Sequence, residues 1–375
     1  YRKDRTFNGR LSAGRGGDGI MEKGKVKDFL LWTLLAIVVG LAVSFAFLPL
    51  LGVNPVESLR IMLVETFSDR FTMGNILIKT TPLILTSLAF AFTYKASLFN
   101  IGAQGQFYVG CICAVATTLA LQTKIPGVLV LILAFAASII GGGLTGLLIG
   151  FLKAKFNANE FLVSMMSTYV VQYVLQLLLR TVLQEEKGEY LKTDYIDASA
   201  WLPKIIPGTS VSLGIVIALA AAIFIWFLLY HTSLGYRVRV TGLNKDAAFM
   251  SGINPNKMCM VAFFISGAIA GLAGFTEING MQHMLLTDFE SDIGSYGIGI
   301  AIMANAHPIG AIFASLLFGM LQVGGTALSR STDAPASVID VMLGFVMLFV
   351  LMSFFVRHKL EIRKMKQQKL KGEEA

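Results

Sequence analysis

The chain has 375 residues, of which 55% are hydrophobic and only 14% are charged, and its mean hydropathy is +0.69. A water-soluble protein of this size needs many more charged residues on its surface, so the composition excludes that class and indicates a polytopic α-helical membrane protein. The formal net charge of +8 does not indicate a nucleic-acid partner, because the basic residues fall in loops and tails beside apolar runs.

The first residues differ from the rest of the chain. Residues 1–20 are rich in glycine and arginine and lack an apolar period, whereas Met21 stands a few residues before an apolar run that begins near Phe29. We therefore expect 1–20 to be an upstream extension or a disordered leader. A transmembrane domain should occupy 21–356, and a basic cytoplasmic tail should occupy 357–375.

Apolar runs long enough to cross about 30 Å of hydrocarbon recur along the chain. In the first half they cover 29–51, 75–92, 107–121, 127–151 and 161–182, with a polar, mildly amphipathic stretch at 54–73. The run at 127–151 carries Gly142, Gly146 and Gly150, a stripe of small residues that favours close approach of a neighbouring helix.

A mostly acidic loop at 184–210 precedes two further runs at 211–230 and 258–275. Residues 294–323 are too long for one helix and are interrupted by Asn305-Ala-His-Pro308, which predicts two shorter helices that meet at a polar elbow. With a last run at 338–355, we expect an all-α protein with about ten crossings. The basic residues beside the runs, opposed by the acidic loop, predict that both termini and the segment 231–257 are cytoplasmic.

The segment 231–257 is a polar, basic stretch between two apolar runs. Asn244 is a good N-cap, Asp246 suits the first turn of a helix, and Gly252 is a natural stop. The predicted helix has barely two turns, which is too short to be stable alone in water, so it should dock onto something. We infer that it receives mechanical input from a soluble partner.

Signals for catalysis are lacking in the sequence. No Gly-x-x-x-x-Gly-Lys-Ser/Thr is present, so the chain should not bind ATP through a P-loop, and no serine lies in a Gly-x-Ser-x-Gly elbow. The histidines are scattered, without metal-ligand spacing. We therefore predict a protein that is not an enzyme and carries no cofactor or metal.

Polar residues at helix edges are candidates for a solute pathway. Asn100, Gln104 and Gln106 offer amides that can bind hydroxyls and bases without burying a charge. The alternative is a structural turn whose amides cap neighbouring helices. Asn159 and Glu160 are also pathway candidates, although Glu160 fits better as a carboxylate that the helix dipole favours.

Several stretches together resemble one family. They are Phe99-Asn-Ile-Gly-Ala-Gln-Gly-Gln106, Asn159-Glu-Phe-Leu-Val-Ser164, Gly242-Leu-Asn-Lys-Asp-Ala-Ala248, the run Ser266–Gly274, and Tyr296-Gly-Ile-Gly with His307-Pro-Ile-Gly310. In this order they resemble the bacterial ABC importer permeases for simple sugars and nucleosides, of the branched-chain amino acid/ribose type. The chain is most similar to the nucleoside-type permeases, but Met303-Ala-Asn-Ala-His307 is less polar than the matching run in many relatives.

The resemblance implies an ATP-driven importer in a bacterial cytoplasmic membrane that works by alternating access. Its implied partners are an ABC ATPase, a second permease that is homologous or identical, an extracellular solute-binding lipoprotein and a small polar solute. Coupling to the ATPase is then expected of the residues Arg237, Arg239, Gly242, Asn244, Lys245, Asp246, Ala247, Ala248 and Gly252. The alternatives are an ATP-independent secondary transporter or facilitator, which does not explain the short docked helix, and a membrane enzyme, which lacks its acid, base and metal groups.

Overall fold

The structure is a computed structural model that describes residues 23–51, 53–185, 190–287, 289, 292–332, 335 and 337–373. The predicted extension at 1–20 lies outside the described residues. In chain order the helices are α1 Lys23–Phe47, α2 Pro55–Ser68, α3 Arg70–Lys95, α4 Ala103–Leu121, α5 Gly127–Phe156, α6 Glu160–Arg180, α7 Gly214–His231, α8 Ser233–Leu243, α9 Lys245–Met250, α10 Pro255–Glu277, α11 Ile293–Met303, α12 Pro308–Ser331 and α13 Ser337–Glu373.

The prediction of an all-α polytopic membrane protein is confirmed. In the described residues, 7 helices are long and apolar enough to cross a membrane: α3, α4, α5, α6, α7, α10 with its π-helical extension to Gln282, and α12. Shorter apolar helices cover Leu34–Phe47, Ile293–Met303 and Ser337–Ser353. The total of about ten crossings stays a prediction.

Several boundaries differ from the predicted ones. Helix α4 begins at Ala103, so Gln104 and Gln106 lie in its first turn and not in a loop. The segment 231–257 contains α8, a helix of 11 residues that sequence reasoning did not identify. Thr232 caps α8, because its Oγ1 accepts a hydrogen bond from the N–H of Gly235 at 3.2 Å. The predicted basic tail lies in the same helix as the last apolar run, since α13 continues to Glu373.

The predicted elbow is present. Helix α11 ends at Met303 and α12 begins at Pro308, and between them Asn305 and Ala306 both have left-handed backbone, with φ of 52° and 51°. A left-handed conformation at two successive residues other than glycine is uncommon and costs conformational energy. The N–H of Ala306 donates to the carbonyl of Ala301 at 2.7 Å, so this turn closes the end of α11.

The chain divides into two compact units, and the first contains Asp69–Met320. Helices α5 and α10 meet there through their glycines. A Cβ on Gly146 would lie 2.1 Å from the carbonyl oxygen of Phe263, and a Cβ on Gly271 would lie 2.1 Å from that of Ser138. The predicted small-residue stripe therefore allows the two backbones to touch, as expected for helices that associate in lipid.

Helix α3 is the most buried span, because 89% of the residues in its apolar stretch are buried. It packs against α7, α10 and α11. Its internal Pro82 has no N–H to donate to the carbonyl of Ile78, so one bond of the helix ladder is missing. Thr86 Oγ1 donates to the carbonyl of Pro82 at 2.9 Å. The unit is therefore built around α3 and the α5–α10 pair.

The second unit contains the described residues of 23–68 and Leu321 onwards. Its core is a cluster of apolar side chains in which Met62 of α2 joins residues of α12 and α13. Helices α1 and α13 approach closely, because a Cβ on Gly40 would lie 2.9 Å from the Cα of Val346. The remaining core residues are Leu48, Val53, Leu328, Val338 and Met342.

Candidate coupling segment and solute pathway

The short helix α9 has the caps that the sequence predicts. Asn244 Oδ1 accepts hydrogen bonds from the N–H groups of Asp246 and Ala247 at 2.9 and 3.0 Å. At the other end Gly252 has a φ of 77°, and the N–H of Ile253 donates to the carbonyl of Ala248 at 3.0 Å. An αL glycine with this bond is a common helix stop, so both ends of α9 are fixed by local sequence.

The segment before α9 is held tightly against the turn after α3. Ser97 Oγ donates to the carbonyl of Gly242 at 2.6 Å, and a Cβ on Gly242 would lie 2.2 Å from the carbonyl oxygen of Lys95. Only glycine permits this approach of two backbones. The structure thus gives Gly242 a packing role that its place in the sequence motif did not reveal.

Helix α9 presents two different faces. Ala248 is fully buried, whereas Phe249 and Met250 are 66% and 87% exposed. The predicted coupling residues Asn244, Lys245, Asp246 and Ala247 are also exposed. A helix of 6 residues that is buried on one side and carries exposed apolar side chains on the other is suited to contact a partner protein.

Aromatic contacts connect this segment to the elbow. The guanidinium of Arg239 in α8 lies 5.2 Å from the ring centroid of Tyr230, at the end of α7. The Tyr230 ring in turn stacks with that of His307 at 5.7 Å and 28°. His307 Nδ1 accepts a hydrogen bond from the N–H of Gly310 at 3.4 Å and so caps α12. Sequence reasoning missed the contact between Tyr230 and His307, because no pattern links the end of one apolar run to a break in another.

The candidate amides lie in a buried network. Asn100 Nδ2 donates to Gln106 Oε1 and to Ser266 Oγ, both at 2.8 Å, and Ser266 Oγ donates to the carbonyl of Ala89 at 2.7 Å. Gln104 Oε1 accepts a hydrogen bond from the N–H of Gly294 at 2.5 Å, at the start of α11. These bonds favour the structural alternative for the three amides, and their pathway role stays a prediction.

Asn159 and Glu160 connect α5 to α6. Asn159 Oδ1 accepts hydrogen bonds from the N–H groups of Phe161 and Leu162 at 3.1 and 3.5 Å, so it caps α6. Glu160 forms an ion pair of 2.8 Å with Lys153 at the end of α5. These contacts hold Asn159 and Glu160 at the junction of α5 and α6, and their pathway role is likewise a prediction.

Membrane-length helices whose backbones touch at small residues define a polytopic helical membrane protein. The sequence pattern of the family described as "Branched-chain amino acid transport system / permease component" matches residues 72–351. The chain belongs to this family.

Curated relatives match over most of their length. A glucose ABC transporter permease from Haloferax volcanii is 31% identical over 88% of this chain and 89% of its own. A guanosine ABC transporter permease from Bacillus subtilis is 30% identical over 88% of this chain and 94% of its own. A nucleoside ABC transporter permease from Lactococcus lactis subsp. cremoris is 28% identical over 91% of this chain and 97% of its own.

Proposed function

We propose that this chain is the translocating subunit of an ATP-driven importer of nucleosides, with a simple sugar as the other candidate solute. The observation that carries the coupling part of this proposal is α9, a capped helix of 6 residues that is anchored on one side and exposed on the other. Two of the relatives described above are named for guanosine and nucleosides, which supports the solute class.

In the proposed mechanism a separate ABC ATPase binds the exposed face of α9 at the cytoplasmic side of a bacterial cytoplasmic membrane. Closure of the ATPase on ATP moves α9. Because Gly242 is held against the backbone of Lys95, the movement passes to α3 as well as to α8 and α10. A pathway between this chain and a second permease then opens outward and accepts solute from an extracellular binding lipoprotein.

The test is uptake of labelled guanosine by proteoliposomes that contain the complex purified with its ATPase, second permease and binding protein. We expect uptake that requires hydrolysable ATP and that survives collapse of the proton gradient. Asp246→Lys should abolish uptake while uncoupled ATP hydrolysis continues, because the substitution reverses the charge in the first turn of α9. Asp194→Lys, at an exposed site in the loop between α6 and α7, is the matched control.

The second candidate function is an ATP-independent secondary carrier. The all-helical fold and the broken helix at Asn305 and Ala306 fit it equally well. Uptake that persists without ATP and disappears with the proton gradient would establish the carrier and refute the importer.

A further inference from the structure

The outward surface of α6 differs from that of the other spans. Helix α6 is long enough to cross a membrane, yet only 17% of the residues in its apolar stretch are buried. Its inner side is marked by the buried residues Ser164, Leu175 and Leu179, which leaves most of its circumference uncovered by the described part of the chain.

A strip of polar residues runs along this uncovered surface. At about 100° per residue, Tyr169, Gln172, Tyr173, Gln176 and Arg180 fall within an arc of about 100°. Tyr169 and Tyr173 are 46% and 70% exposed, and Gln172 and Gln176 are half-buried. Apolar residues such as Val170 and Val174 occupy the sector beside it.

The depth of Tyr169, Gln172 and Tyr173 argues against a role in an interfacial belt. Tyrosines are common where a membrane helix meets the headgroups, because the ring is apolar and the hydroxyl reaches water. Tyr169, however, lies nine residues from Glu160 and eleven from Arg180, which is about 14 Å and about 16 Å from the two ends of α6. The polar groups of Tyr169, Gln172 and Tyr173 therefore lie near mid-membrane depth, where contact with lipid is unfavourable. Gln176 lies one turn from the end of α6, and Arg180 is its last residue.

Two other spans provide the comparison. The exposed residues of α5 include Ile132, Ile140 and Leu144, and those of α7 include Ile223 and Phe224, all more than half exposed. Their outward surfaces are apolar, as expected for helices in contact with lipid. The polar strip is thus a property of α6 and not of the exposed spans in general.

We propose that Tyr169, Gln172, Tyr173 and Gln176 line a water-filled solute pathway and contact a solute that has a planar heterocyclic ring with hydrogen-bonding edges. Tyrosine rings stack on planar ligands, and glutamine amides donate and accept hydrogen bonds without carrying charge. The proposal rests on the proposed function for its solute class. It adds to that function the helix that carries the solute contacts.

Cysteine accessibility tests whether the strip meets water. In the assembled complex, Cys111, Cys113 and Cys259 are first replaced by serine, and single cysteines are then placed at Tyr173 or Gln176 in the strip. Ile223→Cys and Leu144→Cys, on the apolar surfaces of α7 and α5, are the controls. The probe is a charged, membrane-impermeant methanethiosulfonate. We expect labelling of the strip at least tenfold faster than at the controls, and slower labelling when guanosine is transported.

Two results would overturn the proposal. Labelling of both strip positions as slow as at the controls would place them in lipid. Disulfide formation between a strip cysteine and a second subunit, without reaction with the charged reagent, would make the strip a dry interface. Either result leaves ATP-driven uptake intact, so the proposed function would survive. If the strip is labelled but uptake by the complex needs no ATP, the importer proposal is refuted. The proposal that the strip lines a solute pathway then stands.

Substitutions test the solute contacts. Tyr169→Leu and Gln172→Leu should raise the KM for guanosine at least fivefold, whereas Tyr169→Phe, which keeps the ring, should stay within twofold of the native chain. Equal effects of Leu and Phe at Tyr169, or a KM unchanged in all three variants, would remove the solute contact from the proposal.

Discussion

Ser97 and Gly242 are 145 positions apart in the sequence and are joined by a hydrogen bond of 2.6 Å from Ser97 Oγ to the Gly242 carbonyl. The bond connects the turn after α3, the most buried span, to the end of α8, immediately before α9. A force applied at α9 therefore has a short path to α3 that does not pass along α10.

The close approach at Gly242 gives the first prediction. Gly242→Ala would place a methyl group 2.2 Å from the Lys95 carbonyl oxygen and 3.0 Å from the Ala96 Cα, so the two backbones must separate. We expect solute uptake to fall at least tenfold while ATP hydrolysis by the complex continues. The control is Gly344→Ala in α13, where a Cβ meets nothing within 4 Å. Full uptake by Gly242→Ala would show that this contact does not transmit force.

The amide network gives the second prediction. Asn100→Ala removes the donor to Gln106 Oε1 and to Ser266 Oγ, both buried. A buried polar group left without its partner costs about 1–3 kcal/mol, so thermal unfolding in detergent should shift to lower temperature. If the network is structural, uptake per folded complex and solute selectivity stay unchanged. A changed selectivity with unaltered stability would restore the pathway role of these amides.

The contact between α5 and α10 gives the third prediction. Gly146→Ala puts a methyl group 2.1 Å from the Phe263 carbonyl oxygen, which is backbone and cannot rotate away. We expect a loss of about 1–3 kcal/mol in stability or a failure to accumulate in the membrane. Gly143→Ala is the matched control on the same helix, because its methyl group meets only the ring of Phe264, which can move. Equal amounts and unfolding temperatures for both variants would contradict the prediction.

The aromatic connection to the elbow gives the fourth prediction. Tyr230→Leu removes the ring that lies between Arg239 and His307, whereas Tyr230→Phe keeps both contacts. If these contacts transmit movement from α8 to the elbow, a complex with Tyr230→Leu should hydrolyse at least threefold more ATP per solute transported. The same ratio for Tyr230→Phe should match that of the native chain. The measurement is parallel ATPase and uptake assays in the same proteoliposomes, and an unchanged ratio for the Leu variant would argue against it.

The loop beyond α10 gives a prediction for pH. Burial, with a smaller contribution from the charge of Lys204, lowers the pKa of His283 from 6.5 to about 4. Between about 4 and 6.5 the unfolded chain holds a proton that the folded chain does not, so the unfolding free energy falls as the pH falls through this range. His283 stacks on Trp201 at 3.9 Å and 10°. His283→Phe keeps an aromatic ring there and should flatten the decline in unfolding temperature between pH 7 and pH 4.5.

Several local features of the structure were predicted correctly from the sequence. The caps of α9, the glycine stripe on α5 and the break at Asn305 depend on neighbours within a few residues, so the sequence carries their signals. Helix α8 was missed because its basic residues and glycines lack an apolar period. The start of α4 was placed too late for a similar reason, since polar residues fill its first turn.

The candidate site could be predicted only in part. Asn100 and Gln106 were selected as polar residues at a helix edge, but Ser266, the partner of Asn100, lies on α10, far along the chain. The contact of Ser97 with Gly242 and that of Tyr230 with His307 also join residues that are far apart in the sequence. Contacts at such separation depend on how whole helices pack, which no local pattern specifies.

The sequence alone determined the class of protein, because the free energy of transferring a side chain to hydrocarbon is a property of composition and run length. It also determined the short capped helix, because caps are satisfied by adjacent residues. Only the tertiary structure decided that the amides of Asn100 and Gln106 bind each other, and that Tyr169 and Tyr173 of α6 lie on its uncovered side. Which face of a helix is covered depends on how whole helices pack, through contacts between residues far apart in the sequence such as Gly146 and Phe263.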